Sequence, residues 1–151
     1  MKAKKAISML AVLIFMSGCS KLGPMQTPNG LLETKQFEPI FLYTVKDGSE
    51  TVLFKEYTTM YENKELKAWG IFTITDQGAY FATWDTRSFE YHVLFNLKKN
   101  EIGSLGDDKI IRTMWVDSEL LTIKDKNNHE TGFALNGKRA AFTTLERLIH
   151  D

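Results

Sequence analysis

The sequence predicts a mainly β fold: a small antiparallel sheet, curled or closed into a barrel, of seven to eight strands with one C-terminal amphipathic helix. Three observations predict it. From Phe37 onward the apolar residues alternate with polar ones at a period of two, as in half-buried strands. Turn-forming clusters such as Asp47-Gly48, Asp76-Gln77-Gly78 and Asp125-Lys126-Asn127-Asn128 punctuate that alternation. Only the end departs from it: Arg139 to Ile149 holds neither Gly nor Pro, and Ala141, Phe142, Leu145, Leu148 and Ile149 fall at helical spacing on one stripe.

In order, Ile40–Val45 is expected as a first strand running into the turn at Asp47-Gly48. Thr51–Phe54 resumes and extends toward Tyr61, and the polar stretch Glu62-Asn63-Lys64-Glu65 forms a loop. Trp69–Thr75 alternates Ile71 and Thr73 against Phe72 and Ile74. Ala79–Trp84 returns after the turn at Asp76-Gln77-Gly78. Tyr91, Val93, Phe95 and Leu97 are expected to share one face of the next strand. Lys109–Val116, Glu119–Lys124 and Thr131–Leu135 complete the set, and Asn136 is positioned to cap the helix. A curling sheet leaves an open end, which one helix with one apolar stripe would cover.

The N-terminus has a different character. Lys2, Lys4 and Lys5 precede an uncharged run from Ala6 to Met16, and then come Ser17, Gly18 and Cys19, the only cysteine. A positive region, a short apolar region and small residues before a cut are the parts of a secretory signal peptide. The uncharged run of about a dozen residues is short of the roughly 20 needed to span a bilayer. Met16-Ser17-Gly18-Cys19 closely resembles the lipobox of bacterial lipoproteins, with Met16 where that family usually has Leu. The resemblance implies cleavage between Gly18 and Cys19, a diacylglycerol on the Cys19 sulfur and acylation of the new amino group. Several acyl chains on one residue would hold the protein stably on a membrane. Ser20, where an Asp would retain enterobacterial lipoproteins in the inner membrane, implies the outer membrane and a periplasmic orientation. Residues 1–18 are therefore expected as a removed signal peptide, 19–36 as lipidated cysteine and tether, and 37–151 as a single β-rich domain. The tether, with Gly23-Pro24, Thr27-Pro28 and Asn29-Gly30, reaches about 23 Å on average and at most about 58 Å.

Composition narrows the partners. The leader takes three of the 19 Lys+Arg and none of the 19 Asp+Glu, which leaves 16 against 19, a net charge of −3. Such a chain has no basic footprint for nucleic acid and no polybasic patch for anionic lipid. The 133 residues from Cys19 suffice for one core, and no disulfide can brace it.

Residues 50–149 resemble the pleckstrin-homology superfold, and more closely its GRAM-like bacterial variants. Three stretches carry the likeness: Gly70 to Phe81 as its strand–turn–strand, Phe95 to Ile102 as its strand ending in a turn, and Leu120 to Leu135 with the following helix as its last hairpin and C-terminal helix. Ile40–Val45 adds strand material before that fold's usual start, and the basic strand pair that grips phosphoinositide in some eukaryotic members is missing. The resemblance implies a fold and fixes no function.

No catalytic, cofactor or metal motif accompanies the fold. His92, His129 and His150 show no ligand spacing, and His92 reads as a solvent-side strand residue. No Gly-x-Ser-x-Gly elbow supports a serine nucleophile. Asp107-Asp108 reads as a turn between strands, and Asp85-Thr86-Arg87-Ser88 as a hairpin connection. Trp69, Trp84 and Trp115 with Tyr57, Tyr61, Tyr80 and Tyr91 are expected mostly in the core, with a ligand groove or strand addition at an edge as the other uses. The expected role is that of a non-catalytic binding or scaffold module with an envelope protein partner. The other is an immunity or inhibitor lipoprotein that docks through residues 85–90 or 125–130.

Overall fold

The computed structural model describes residues 38–85, 87–112 and 115–150. The Met16–Cys19 motif, Ser20 and the tether lie outside the described residues, as does the side chain of Trp115.

The chain is mainly β. Helix α1 (Glu38–Val45) precedes strands β1 (Val52–Glu62), β2 (Glu65–Thr75), β3 (Gly78–Asp85) and β4 (Glu90–Lys98). A 3-10 turn at Lys99–Glu101 leads to β5 (Ile102–Arg112), β6 (Trp115–Asp125) and β7 (Glu130–Phe133), and helix α2 (Lys138–His150) follows. All seven strands pair antiparallel in one sheet of order β4-β3-β2-β1-β7-β6-β5, with β4 and β5 as its two open edges.

The sheet is open but strongly curled. Phe95 on β4 meets Phe133 on β7 with ring centroids 5.2 Å apart, although the two strands are four positions apart in the sheet. In a flat sheet that separation would be about 19 Å. The concave face holds the main core: Met60, Phe72, Ile74, Phe81, Leu121, Ile123 and Phe133 from the strands, roofed by Ala141, Leu145 and Leu148 of α2. The stripe read in the sequence is thus the buried face of the helix. Two ties fix it: Glu56 on β1 accepts the N–H groups of Asn136 (2.6 Å) and Gly137 (2.8 Å), and Lys138 pairs with Glu119 (2.7 Å) and Asp107 (3.2 Å). With Lys138 starting the helix, Asn136 stands one residue before the cap position, and the carboxylate of Glu56 serves the helix entrance instead.

Glu62 and Glu65 end and begin strands, joined by Asn63 (φ 52°) and Lys64 (φ 64°). Both central residues are left-handed, the conformation of a type I′ turn, whose twist matches that of the flanking strands.

Four further expectations are corrected. Ile40–Val45 is not a strand but most of α1. A six-residue apolar run has no period that separates helix from strand. Here Phe41 and Val45, four residues apart, both turn inward and form a second core with Ile71, Tyr80, Ala82 and Tyr91 on the convex face of β2–β4. Tyr91, Val93, Phe95 and Leu97 do not share a face. The β3–β4 register runs Phe81↔Phe95 and then Ala82↔Val93, so Leu94 is an extra residue. This bulge reverses the alternation, which sends Tyr91 to the convex core and Phe95 to the concave one.

Asp107 and Asp108 do not form a turn either. They sit inside β5, opposite Leu121 and Leu120 of β6, and they bond lysines. Gly103, Gly106 and the two acids read as strand breakers, yet an eleven-residue edge strand needs only one paired side. The strand predicted at Lys109–Val116 accordingly begins earlier, at Ile102, and ends at Arg112.

Candidate functional site

The convex face carries the exposed aromatic surface. Along the outer side of β2, α1 covers Ile71 but not Trp69, two residues nearer the strand's start, which keeps 55% of its area in solvent. The β2–β3 ladder stops at Ile71↔Ala82. Beyond that point β2 continues to Glu65 beside β1, and β3 continues to Asp85 beside β4. The two hairpins part, and between them lies a groove of about 410 Å³ lined by Tyr57, Lys67, Trp69, Thr83, Trp84 and Leu94. The Thr83 hydroxyl donates to the Trp69 carbonyl at 2.8 Å and closes the head of the cleft.

The lining is rigid and apolar. Tyr57 and Trp69 stack with centroids 6.3 Å apart at 25°, and Trp84 meets Tyr91 edge-on at 4.8 Å. Tyr91 in turn meets Phe41 of α1 edge-on at 5.3 Å, so the groove wall is braced by the second core. Burial pushes the Tyr91 phenol up to about 12, and among the described residues its hydroxyl has no partner. Burial and the adjoining Glu50 carboxylate do the same for Tyr80, also to about 12. Glu50 accepts from the Tyr80 and Thr75 hydroxyls at 3.0 and 2.6 Å, which ties the α1–β1 connection to β2 and β3.

At the groove's end stands the β3–β4 hairpin tip. Asp85 Oδ1 accepts the Arg87 N–H at 2.7 Å, and the Asp85 carbonyl accepts the Phe89 N–H at 2.9 Å. The first of these bonds, ahead of the weaker pull of His92, lowers the Asp85 carboxyl below its ordinary value. Phe89 has φ 58° and is 53% exposed. His92 Nε2 lies 3.2 Å from Ser88 Oγ and 3.7 Å from Asp85 Oδ2. A serine, a histidine and an aspartate thus converge, but the Ser and Asp oxygens address the same ring nitrogen. A proton relay needs one on each. The cluster holds the loop in shape.

Of the other residues singled out, His129 pairs with Asp125 at 3.2 Å on the β6–β7 tip, and His150 ends α2. Among the described residues no three His, Cys, Asp or Glu side chains gather as a metal site, and no helix is long and apolar enough to cross a membrane. Tyr61, Tyr80 and Tyr91 are buried, as expected for core aromatics, whereas Trp69, like Tyr43 and Phe89, is exposed. Sequence reasoning named the 85–90 loop but missed Phe89 within it. An apolar ring among turn-formers was the signal. Comparison with protein-family models and with curated proteins finds no match.

Both open edges are blunted. β4 carries the bulge at Leu94, and β5 breaks register between Ile102 and Ser104 and again between Ile110 and Arg112. Bulged edges are poor templates for an added strand, so what this surface offers a partner is its side chains.

Proposed function

We propose that the chain is a lipid-anchored envelope lipoprotein whose folded part is a non-catalytic binding or scaffold module, working at the periplasmic face of the outer membrane. The observation that carries the binding half is the aromatic groove. Trp69 and Leu94, each about half exposed, line it together with the half-buried Tyr57 and Trp84. Rigid aromatic surfaces of this kind mark interaction sites, since Trp and Tyr dominate the energetic centre of protein interfaces. Seven strands followed by a C-terminal helix, with α1 in place of an additional strand, support the pleckstrin-homology-like reading. The Met16–Cys19 motif supports the anchor. A second reading, an immunity or inhibitor lipoprotein, is favoured by one feature: the pinned hairpin that carries Phe89 resembles a loop made to enter a cleft.

The anchor is tested by labelling the wild type and Cys19→Ala with a palmitate analogue in the native host. Wild type is expected in the membrane fraction with label, and the variant as unlabelled, uncut precursor. Normal processing and release of the variant would sink the lipoprotein reading. The binding half is tested by recovering the lipidated chain with its bound proteins from host membranes. Trp69→Ser should reduce the partner more than tenfold and cost only about 1 kcal/mol of stability, since the ring stacks on Tyr57 but has more than half of its area in water. An unchanged set of proteins would refute the groove as the site, and turnover of a cell-wall or lipid substrate by the purified chain would refute a non-catalytic role.

A further inference from the structure

We infer that the outer side of α1 rests on the bilayer that holds Cys19, and so fixes how the folded part faces that membrane. The inference rests on the lipoprotein reading above and adds a lipid surface as a second contact besides the acyl chains.

Helix α1 is apolar nearly all round. In Glu38–Val45 the single charge is the first residue, and the Thr44 hydroxyl is spent on the Ile40 carbonyl at 3.0 Å. A helix of that composition calls for burial on every side. Protein covers only one. Phe41 and Val45 are buried in the second core, and Leu42 packs at its margin. Away from that core Ile40 and Tyr43, one turn apart, stay 49% and 88% exposed. Tyr43 is the most exposed large apolar side chain among the described residues. Beside the helix on β4, Val93 pairs with Ala82 of the same core and is 37% exposed, which continues the apolar side.

Size, position and chemistry select the occupant. Eight residues make a strip about 12 Å long and about 10 Å wide, on the order of 100 Å². A stable protein interface needs roughly 800 Å² per partner, so this strip alone does not recruit a protein or a second copy from solution. A surface to which the chain is already attached needs far less, because attachment raises its effective concentration. Only residues 20–37 separate Cys19 from α1, and the tether expected from the sequence averages about 23 Å. The chemistry agrees. A tyrosine suits the head-group level, with its ring toward the apolar boundary and its hydroxyl in water, and an isoleucine one turn away suits the acyl side. The charges lining the C-terminal end of the helix balance, Lys46 and Lys98 against Asp47 and Glu50. The contact is therefore apolar and does not depend on anionic lipid.

The test uses the full lipidated chain purified from its host. With Cys19 acylated no other cysteine is present, so Tyr43→Cys supplies a single thiol for a nitrobenzoxadiazole fluorophore. Thr143→Cys is the control, exposed on α2, which roofs the concave face. Each is reconstituted in phosphatidylethanolamine vesicles that carry a spin-labelled lipid. Quenching at position 43 is expected to exceed that at position 143 by at least about threefold, since an interfacial helix enters the head-group boundary. It should be the same with phosphatidylglycerol added and in high salt, which screens charge. In the host, p-benzoylphenylalanine at position 43 should cross-link to lipid. Equal quenching at the two positions, quenching that salt abolishes, no lipid adduct, or an adduct with another protein or a second copy would overturn the inference. The anchor fails separately: mass spectrometry showing an unmodified Cys19 sinks the lipoprotein reading and this contact with it. An acylated Cys19 with equal quenching keeps the anchor and removes the contact.

Discussion

Phe133→Ala is expected to lower the stability of the fold by about 3–5 kcal/mol, at the severe end for a single core truncation. Phe133 is fully buried and stands where the curled sheet meets itself. Its ring lies 4.4 Å from Phe72 of β2, 5.8 Å from Phe81 of β3 and 5.2 Å from Phe95 of β4. Removing it deletes the common neighbour of three rings on three strands. Those strands are held by ladders of their own, so they cannot close inward to fill the cavity, and the cost of a large-to-small change grows with the void that remains. Against a total of about 5–15 kcal/mol, that is a large share. Urea unfolding followed by Trp fluorescence measures it, with Phe133→Leu as the milder companion at about 1 kcal/mol. A loss below about 1 kcal/mol for the alanine variant would mean that the four rings do not form the centre of the core.

The same curl explains which parts of the fold were legible in the sequence. Phe72 and Ile74 against Ile71 and Thr73 alternate because β2 lies in the middle of the sheet, with the concave core on one side and α1 on the other. A strand buried on both faces reads as a short apolar and β-branched run bounded by turns, which is how Ile71–Thr75 before Asp76-Gln77-Gly78 was legible. The α2 stripe was legible for a similar reason: one face is buried and the other wet.

What was not legible depended on contacts between distant segments. Phe41 and Val45 are a helix because the convex side of β2–β4 presents Ile71, Tyr80 and Tyr91 to receive them, and nothing within Ile40–Val45 states that. The bulge at Leu94 cannot be seen in a sequence whose apolar residues appear to alternate correctly through it. β5 reads as loop, since Gly103, Gly106, Asp107 and Asp108 disfavour strands, and its conformation comes from β6.

The site shows the same division. The aromatic residues of the groove were visible as residues, but exposure was not. Trp69 is outside because α1 does not cover it and the β2–β3 ladder ends between it and Ile71, whereas Tyr91 is inside because Phe41 of α1 packs on it. Where a ladder ends is a property of two strands, and one strand's sequence does not contain it.

That ladder end is itself testable, through Gly70. Gly70→Ala is expected to cost about 3 kcal/mol or to prevent folding, because the added methyl would collide with the Ala82 carbonyl and lie 2.6–2.8 Å from the Phe81 ring. The carbonyl belongs to a strand fixed on its other side by β4, and Phe81 is fully buried, so neither can yield cheaply. Gly48 supplies the control. An added methyl there meets nothing within 4 Å, so Gly48→Ala should be neutral or stabilise by up to about 1 kcal/mol. Absence of a Cβ at Gly70 lets β3 cross close over β2 immediately before the two hairpins separate, with Trp69 on one lip of the groove and Trp84 on the other. Steric relief at Gly70 would move those lips first. A folded Gly70→Ala chain should therefore show altered Trp fluorescence and weakened partner recovery together with its lowered melting temperature, whereas Phe133→Ala, whose cavity lies on the concave side, should lose stability without a comparable loss of binding in the folded fraction. If Gly70→Ala melts like the wild type, β2 and β3 are not in contact at that point, and the groove does not owe its shape to a glycine.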